Sequence, residues 1–284
     1  MNNTRTRKLT IGQSKYLITS DDSYLKAMRP GFLAAVSRQA RLLRYGGDFE
    51  PRMVRLYETL VRPEDVALDV GANIGCMSLV LAQLAKKVYA FEPNPKSWQL
   101  WVENIKNSGL SNCLGFNFGL GSEAKSATIS YDDGNRSGAF VADKVAATGD
   151  SDTITVKRLD DVIPEKSIEN FDFIKMDVEG YEWSVLKGGI SSIQSCQPVI
   201  QLELNSWCLN AFHRIALPDF LDFLLDVFPF VYAIEKMNYV DVHSSEGRSF
   251  LTRQNILEHR YKELVVAFES DRLAKFRSSY RPAF

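Results

Sequence analysis

The sequence predicts an α/β fold with a doubly wound, mostly parallel sheet, and three observations carry that expectation. From Val66 onward, short apolar runs alternate with amphipathic segments, as parallel strands alternate with crossover helices. The runs VALDV and PVIQLEL are almost continuously apolar, as strands covered on both faces must be. Between the first run and the segment after it lies a glycine-bearing turn, LDVGANIG, placed where a strand gives way to a helix.

Taken in order, Leu25–Tyr45 carries Leu, Ala and Val at helical spacing, and Pro51–Leu60 predicts a second short helix. The strands expected next are Val66–Val70, Val88–Phe91, Cys113–Phe118, Phe171–Met176 and Val199–Leu204. Gly75–Ala85, Pro95–Ser108 and Tyr181–Leu186 are the helices between them. Before the fourth strand, Ala127–Tyr131, Ala139–Ala142 and Thr153–Lys157 predict an antiparallel insertion around the turn-rich DDGNRSG stretch, whose glycines suggest a mobile lid. After Leu217 a helix and two strands, Phe230–Ile234 and Leu264–Phe268, are expected, with a polar and less legible segment between His243 and Tyr261.

Composition narrows the function classes. With 34 basic and 35 acidic residues the net charge is -1, which gives no long-range attraction to nucleic acid or to an anionic membrane. No apolar run is long enough to span a bilayer, and polar residues interrupt the stretch after the basic start, so neither a membrane span nor a secretory signal is expected. The four cysteines have no metal-ligand spacing and are expected as reduced thiols in a cytoplasmic protein. The oligomeric state is not legible.

The chemistry gathers at the carboxyl ends of the strands, where open α/β sheets bind ligands. Gly71 permits a sharp turn and a close backbone approach, the next helix begins near Gly75, and Asp69 ends the strand. Glu92 stands 21 residues after Gly71 at the end of the second strand, in YAFEPNP. A carboxylate there accepts the two hydroxyls of a ribose, so the unit is expected to bind a nucleoside. The glycines are spaced G-x-x-x-G with Asn73 between them, not in the G-x-G-x-x-G pattern that seats a pyrophosphate. Asp177 and Glu179 follow the fourth strand, and Glu203 ends the fifth. One of them would serve as a general base, or the three together would hold a divalent cation. Lys175 shares a strand face with Asp177 and needs a carboxylate partner, for which Asp177 or Glu203 is expected. His213 is a further candidate base, although a place on a helix surface is the stronger expectation. Trp183, Trp207 and Phe212 are candidates for an acceptor pocket, or simply for the core.

DVGANIG, FEPNP, RLDDV, FDFIKMDVEGYEWSVLKGG and PVIQLELN together resemble the FkbM family of methyltransferases, over about Val66 to Asn205. The resemblance implies a class I methyltransferase (Rossmann-like) fold of seven strands, one of them antiparallel near the edge. It also implies S-adenosylmethionine as cofactor and O-methylation of a small-molecule, natural-product or glycan acceptor. By the same resemblance Asp69, Gly71, Ala72, Asn73 and Gly75 line the cofactor pocket and Glu92 holds the ribose. Pro93 and Asn94 lie near it, the segment from Gly119 lies against the adenine, and Asp177 reaches the methyl side. Residues 1–64 are then a helical extension, 65–270 the methyltransferase domain and 271–284 a tail.

Two rivals remain. A nicotinamide-dependent oxidoreductase shares the strand pair and Glu92 but lacks the third glycine and a Tyr-x-x-x-Lys pair. A non-catalytic module would have no need of intact Asp69, Gly71, Glu92 and Asp177. A nucleic-acid amino-methylating enzyme is not expected, because DVEGY stands where an Asp/Asn-Pro-Pro-aromatic turn would be.

Overall fold

The computed structural model describes residues 5–11, 14–20, 49–132, 135–147 and 149–284. The chain opens on an antiparallel hairpin of β1 (Arg5–Ile11) and β2 (Ser14–Ser20), with Arg5 opposite Ser20. This corrects the helical extension expected over residues 1–64. In KLTI and YLITS, β-branched Thr and Ile cluster and favour extended backbone over helix. The helix expected over Leu25–Tyr45 lies outside the described residues. Helix α1 (Phe49–Leu60) follows, starting two residues before the expected Pro51.

Next come β3 (Val66–Val70), α2 (Cys76–Leu84), β4 (Lys87–Phe91), α3 (Pro95–Ser108) and β5 (Cys113–Phe116). The chain then leaves the main sheet for β6 (Gly119–Leu120), β7 (Lys125–Asp132), β8 (Asn135–Val141) and β9 (Asp150–Lys157). These four form a sheet of their own in the order β6-β9-β7-β8. Of DDGNRSG, Asp133 and Gly134 lie outside the described residues.

Helix α4 (Leu159–Glu165) returns to β10 (Phe173–Met176), and α5 (Glu182–Gly188) and α6 (Ile190–Cys196) lead to β11 (Val199–Glu203). The rest is α7 (Ser206–His213), α8 (Leu217–Val227), β12 (Phe230–Glu235), β13 (Asn238–Asp241), α9 (Ser245–Glu258), β14 (Glu263–Ala267), α10 (Ala274–Ser279) and β15 (Arg281–Pro282).

The main sheet has the order β5-β4-β3-β10-β11-β14-β12-β13-β15. From β5 to β11 the pairs are parallel, while β14 runs antiparallel to both its neighbours. Nine strands therefore replace the expected seven. The two additions lie on one edge: β13 folds back from β12 through Lys236, at φ 58°, and β15 is a two-residue pairing near the chain end.

Alternate residues of each central strand feed two cores. Ala67 and Phe173 face the side of α1, α2, α3 and α10, whereas Leu68 and Ile174 face α4–α8 and the small sheet. The expected tail after residue 270 is part of this body. Phe276 is completely buried, and Arg272 pairs through both guanidinium arms with Asp65, at 3.0 and 2.7 Å.

Candidate functional site

The turn after β3 is held at three points. Gly71 N and Ala72 N both donate to Phe91 O, at 3.0 and 3.1 Å, which ties the turn to the end of β4. Gly71 has φ 78°, and a Cβ there would lie 1.9 Å from Asp177 O, so the turn rests against the end of β10. Lys175 Nζ donates to Gly71 O at 2.7 Å from the adjacent strand. Gly75, at φ 91°, starts α2 without a side-chain cap.

Lys175 pairs first with Asp69, a partner not expected of it, and at longer range with the expected Asp177. The register sets it opposite Asp69, and Nζ lies 3.3 Å from Asp69 Oδ1 but 4.0 Å from Asp177 Oδ2. Facing residues on adjacent strands project to the same face, so Asp69 is the nearer anion. The other Asp69 oxygen accepts from Ser78 Oγ at 2.5 Å, and Ser78 in turn accepts from Trp101 Nε1 at 2.9 Å. Asp69 is wholly buried behind the turn and fixes it from within.

Glu92 closes the other side. One carboxylate oxygen accepts from Asn73 N at 2.7 Å and the other from Asn94 N at 2.8 Å. Burial is the largest influence on its carboxyl and raises it to about 7, against the downward pull of those two amides and of Lys175. Asn94 caps α3 by accepting from Lys96 N at 3.0 Å, with Pro95 at the first helical position. It therefore supports Glu92 from behind and does not face the cleft.

A cleft of about 340 Å³ lies along these groups. Of the residues expected at the site, Gly71, Ala72, Asn73, Glu92, Pro93, Gly119, Asp177, Glu179 and Glu203 line it. Asp69, Gly75, Asn94 and His213 do not. The small sheet supplies an apolar wall through Ile129, Val141 and Val156, and Lys262 reaches in from the start of β14. The sequence reading placed an insertion here but named none of these four residues. Lys262 had a usable signal, since the start of an antiparallel strand lies beside the carboxyl ends of its parallel neighbours.

Three carboxylates gather in the cleft. Asp177, Glu179 and Glu203 each offer an oxygen within 4.8 Å of the others. Glu179 sits at φ 52° in the DVEGY turn and accepts from Cys208 Sγ at 3.3 Å. Glu182, with no exposure, accepts from Val178 N and Gly180 N at 3.2 and 3.3 Å and so holds that turn in shape. Burial and then Asp177 push the Glu179 carboxyl up to about 7, and burial, Asp177 and Glu179 hold Glu203 well above the usual carboxylate range.

His213 is neither on a helix surface nor at this cleft. It is 8% exposed at the end of α7 and lines a separate cleft with Asp143 and Lys125. Desolvation lowers its imidazole to about 4, so it is neutral at pH 7. Tyr181, whose hydroxyl donates to Asp143 at 2.7 Å, stands between the two clefts. Trp183 stacks on Phe223 at 5.5 Å, Phe212 stacks on Phe140 at 3.7 Å, and Trp207 is exposed.

The Methyltransferase FkbM domain matches residues 69–239, more than half of the chain. The chain belongs to the FkbM methyltransferase family. Among its relatives, the hexuronic acid methyltransferase AglP of Haloferax volcanii is 31% identical over 153 residues, covering 53% of this chain and 61% of that one. The methyltransferase sdnD of Sordaria araneosa is 30% identical over 152 residues, covering 43% and 59%. The chain thus spans about three-fifths of the length of these two relatives. A crystal structure of the FkbM methyltransferase of Methylobacillus flagellatus KT is similar at 19% identity and a TM-score of 0.45, covering 86% of this chain and 49% of that one. Among the described residues no disulfide joins the four cysteines, and no helix is long and apolar enough to cross a membrane.

Proposed function

We propose that this FkbM-family chain methylates a hydroxyl of a small-molecule, natural-product or glycan acceptor, with S-adenosylmethionine as methyl donor. One observation carries the reading: Glu92, at the end of the second central strand, faces a cleft whose other wall is a turn without a pyrophosphate seat. The residues fit the cofactor. Glu92 offers lone pairs to two ribose hydroxyls, and the backbone of Gly71–Asn73 would bound the amino acid end. Gly119, where a Cβ would lie 3.4 Å from Pro93, leaves a flat surface for the adenine. Asn73 Oδ1 is buried and unpartnered, as an acceptor awaiting a polar ligand would be.

When bound, the cofactor supplies an electrophilic methyl group. The chain's own part is to align the acceptor and remove its proton. Asp177, Glu179 and Glu203 lie together in the cleft, where they would orient a hydroxyl, and one of their oxygens would receive its proton. Lys175 and Asp69 hold the turn that frames them. The apolar wall of Ile129, Val141 and Val156 would keep water from the reacting atoms. A sugar acceptor is favoured by the name of the relative AglP. The near-neutral chain charge favours a small acceptor over nucleic acid. A cytoplasmic setting goes with this proposal.

The test is transfer of labelled methyl from S-adenosylmethionine to a panel of neutral sugars, uronic acids and polyketide alcohols, each product then treated with mild alkali. Alkali-stable label on one acceptor class is the expected result, because a methyl ether resists hydrolysis. Label released by alkali would move the transfer to a carboxylate and contradict the hydroxyl assignment.

A further inference from the structure

This part of the cleft gathers more carboxyl groups than its neighbours can pair. Besides Asp177, Glu179 and Glu203, two further carboxylates stand close enough to influence them electrostatically, Glu182 under the turn and Glu263 paired in register with Glu203. The nearby ammonium groups are Lys175 and Lys262. Lys175 is committed to Asp69 and to Gly71 O, and stands 4.0 Å from Asp177. Glu263 already accepts from Gln201 Nε2 at 2.5 Å, within a buried chain that continues to Tyr57. Carboxyls packed this closely, away from bulk water, can ionise together only beside a compensating cation.

Geometry gives that cation a place. The mutual limit of 4.8 Å among the three oxygens fits one coordination sphere. Oxygens around a hard divalent ion with bonds of about 2.0–2.6 Å lie roughly 3–5 Å apart. Glu203 Oε2 is sealed from solvent and has no hydrogen-bond partner, an oxygen whose lone pairs go unused. Glu179 keeps Oε1 free, because Cys208 Sγ donates to Oε2. The three groups come from the ends of two adjacent strands and a turn that Glu182 pins, so little rearrangement is needed. The side facing the cleft is open for water or an acceptor oxygen.

We propose that Asp177, Glu179 and Glu203 bind one divalent, oxygen-preferring cation of the Mg²⁺, Mn²⁺ or Ca²⁺ class in this cleft. Its role rests on the methyl-transfer reading: it would bind the acceptor hydroxyl oxygen and ease loss of the proton to a free carboxylate oxygen. Its existence does not rest on that reading.

Titration of the full chain with MnCl₂, following the electron paramagnetic resonance signal of free Mn²⁺, tests the site without any acceptor. One equivalent should bind with a Kd of about 10–100 μM and be displaced by Mg²⁺ or Ca²⁺. Glu203→Gln and Glu179→Gln should each weaken binding about tenfold or more. Should Glu203→Gln fail to fold, Glu179→Gln decides. Free Mn²⁺ that stays undiminished to about 5 mM, or variants that bind as the native protein does, would overturn the proposal. Binding of S-adenosylhomocysteine in EDTA, measured in parallel, separates the two readings. If Mn²⁺ binds and the nucleoside does not, the cation site stands and the methyl-transfer reading falls; the reverse result removes only the cation.

Discussion

Each oxygen of Glu92 takes one backbone amide, from Asn73 and from Asn94, and keeps a further lone pair for a ligand. Because burial raises this carboxyl from 4.5 to about 7, the folded chain takes up a proton between those values. The associated stability is present below pH 4.5 and is lost as pH rises through 7. Nucleoside binding has the opposite sign, since the ionised carboxylate is the better acceptor for ribose hydroxyls. Affinity for S-adenosylhomocysteine should therefore rise about tenfold between pH 6 and pH 8. Glu92→Gln should flatten that profile, and an equal slope in the variant would disprove the role. Asp69 belongs to stability at this scale. Asp69→Ala strands Lys175, which is 5% exposed, and should cost about 3–5 kcal/mol in urea unfolding. From the sequence, Asp69, Gly75 and Asn94 were legible as members of the right loops. Their placement away from the cleft was not, because Asp69 accepts from Ser78 on α2, Asn94 caps α3 and Gly75 N donates back to Ala72 O, contacts that residue spacing does not show.

At the scale of elements, the two βα turns are coupled by contact. Gly71 lies where a Cβ would meet Asp177 O at 1.9 Å, so Gly71→Ala must push the first turn away from the end of β10. The expected outcome is a folded protein with cofactor affinity reduced about tenfold or more, read by calorimetry. The C-terminal elements make a separate prediction. Arg272 clamps Asp65 at the amino end of β3, remote from the cleft at the carboxyl ends. Arg272→Ala should cost about 2–3 kcal/mol of stability and leave nucleoside affinity unchanged. The buried parallel strands were legible because they are unbroken apolar runs between glycine-bearing turns. Helix α9 was not, since its buried face includes Gln254 and Asn255, and Asn255 Nδ2 ties to Leu204 O at 3.1 Å instead of packing as an apolar side chain. The β1–β2 hairpin was lost because a helical reading was extended over the whole preface from Leu25–Tyr45. The edge pairing of β15 was lost because a two-residue strand has no periodicity to read.

For the molecule as a whole, the main sheet brings the ends of β3, β4, β10 and β11 to one edge, and the small sheet closes over them with apolar residues. Glu92, a turn without the G-x-G-x-x-G spacing and a group of carboxylates meet in that cleft, and the proposal of methyl transfer in place of hydride transfer rests on them. The decisive measurement is calorimetric titration with S-adenosylhomocysteine and, separately, NADH, on the native chain and on Glu92→Ala. Micromolar binding of S-adenosylhomocysteine that is lost in the variant, with no heat from NADH, is the predicted result. Binding of NADH in its place would contradict the account and give the cleft to a nicotinamide cofactor.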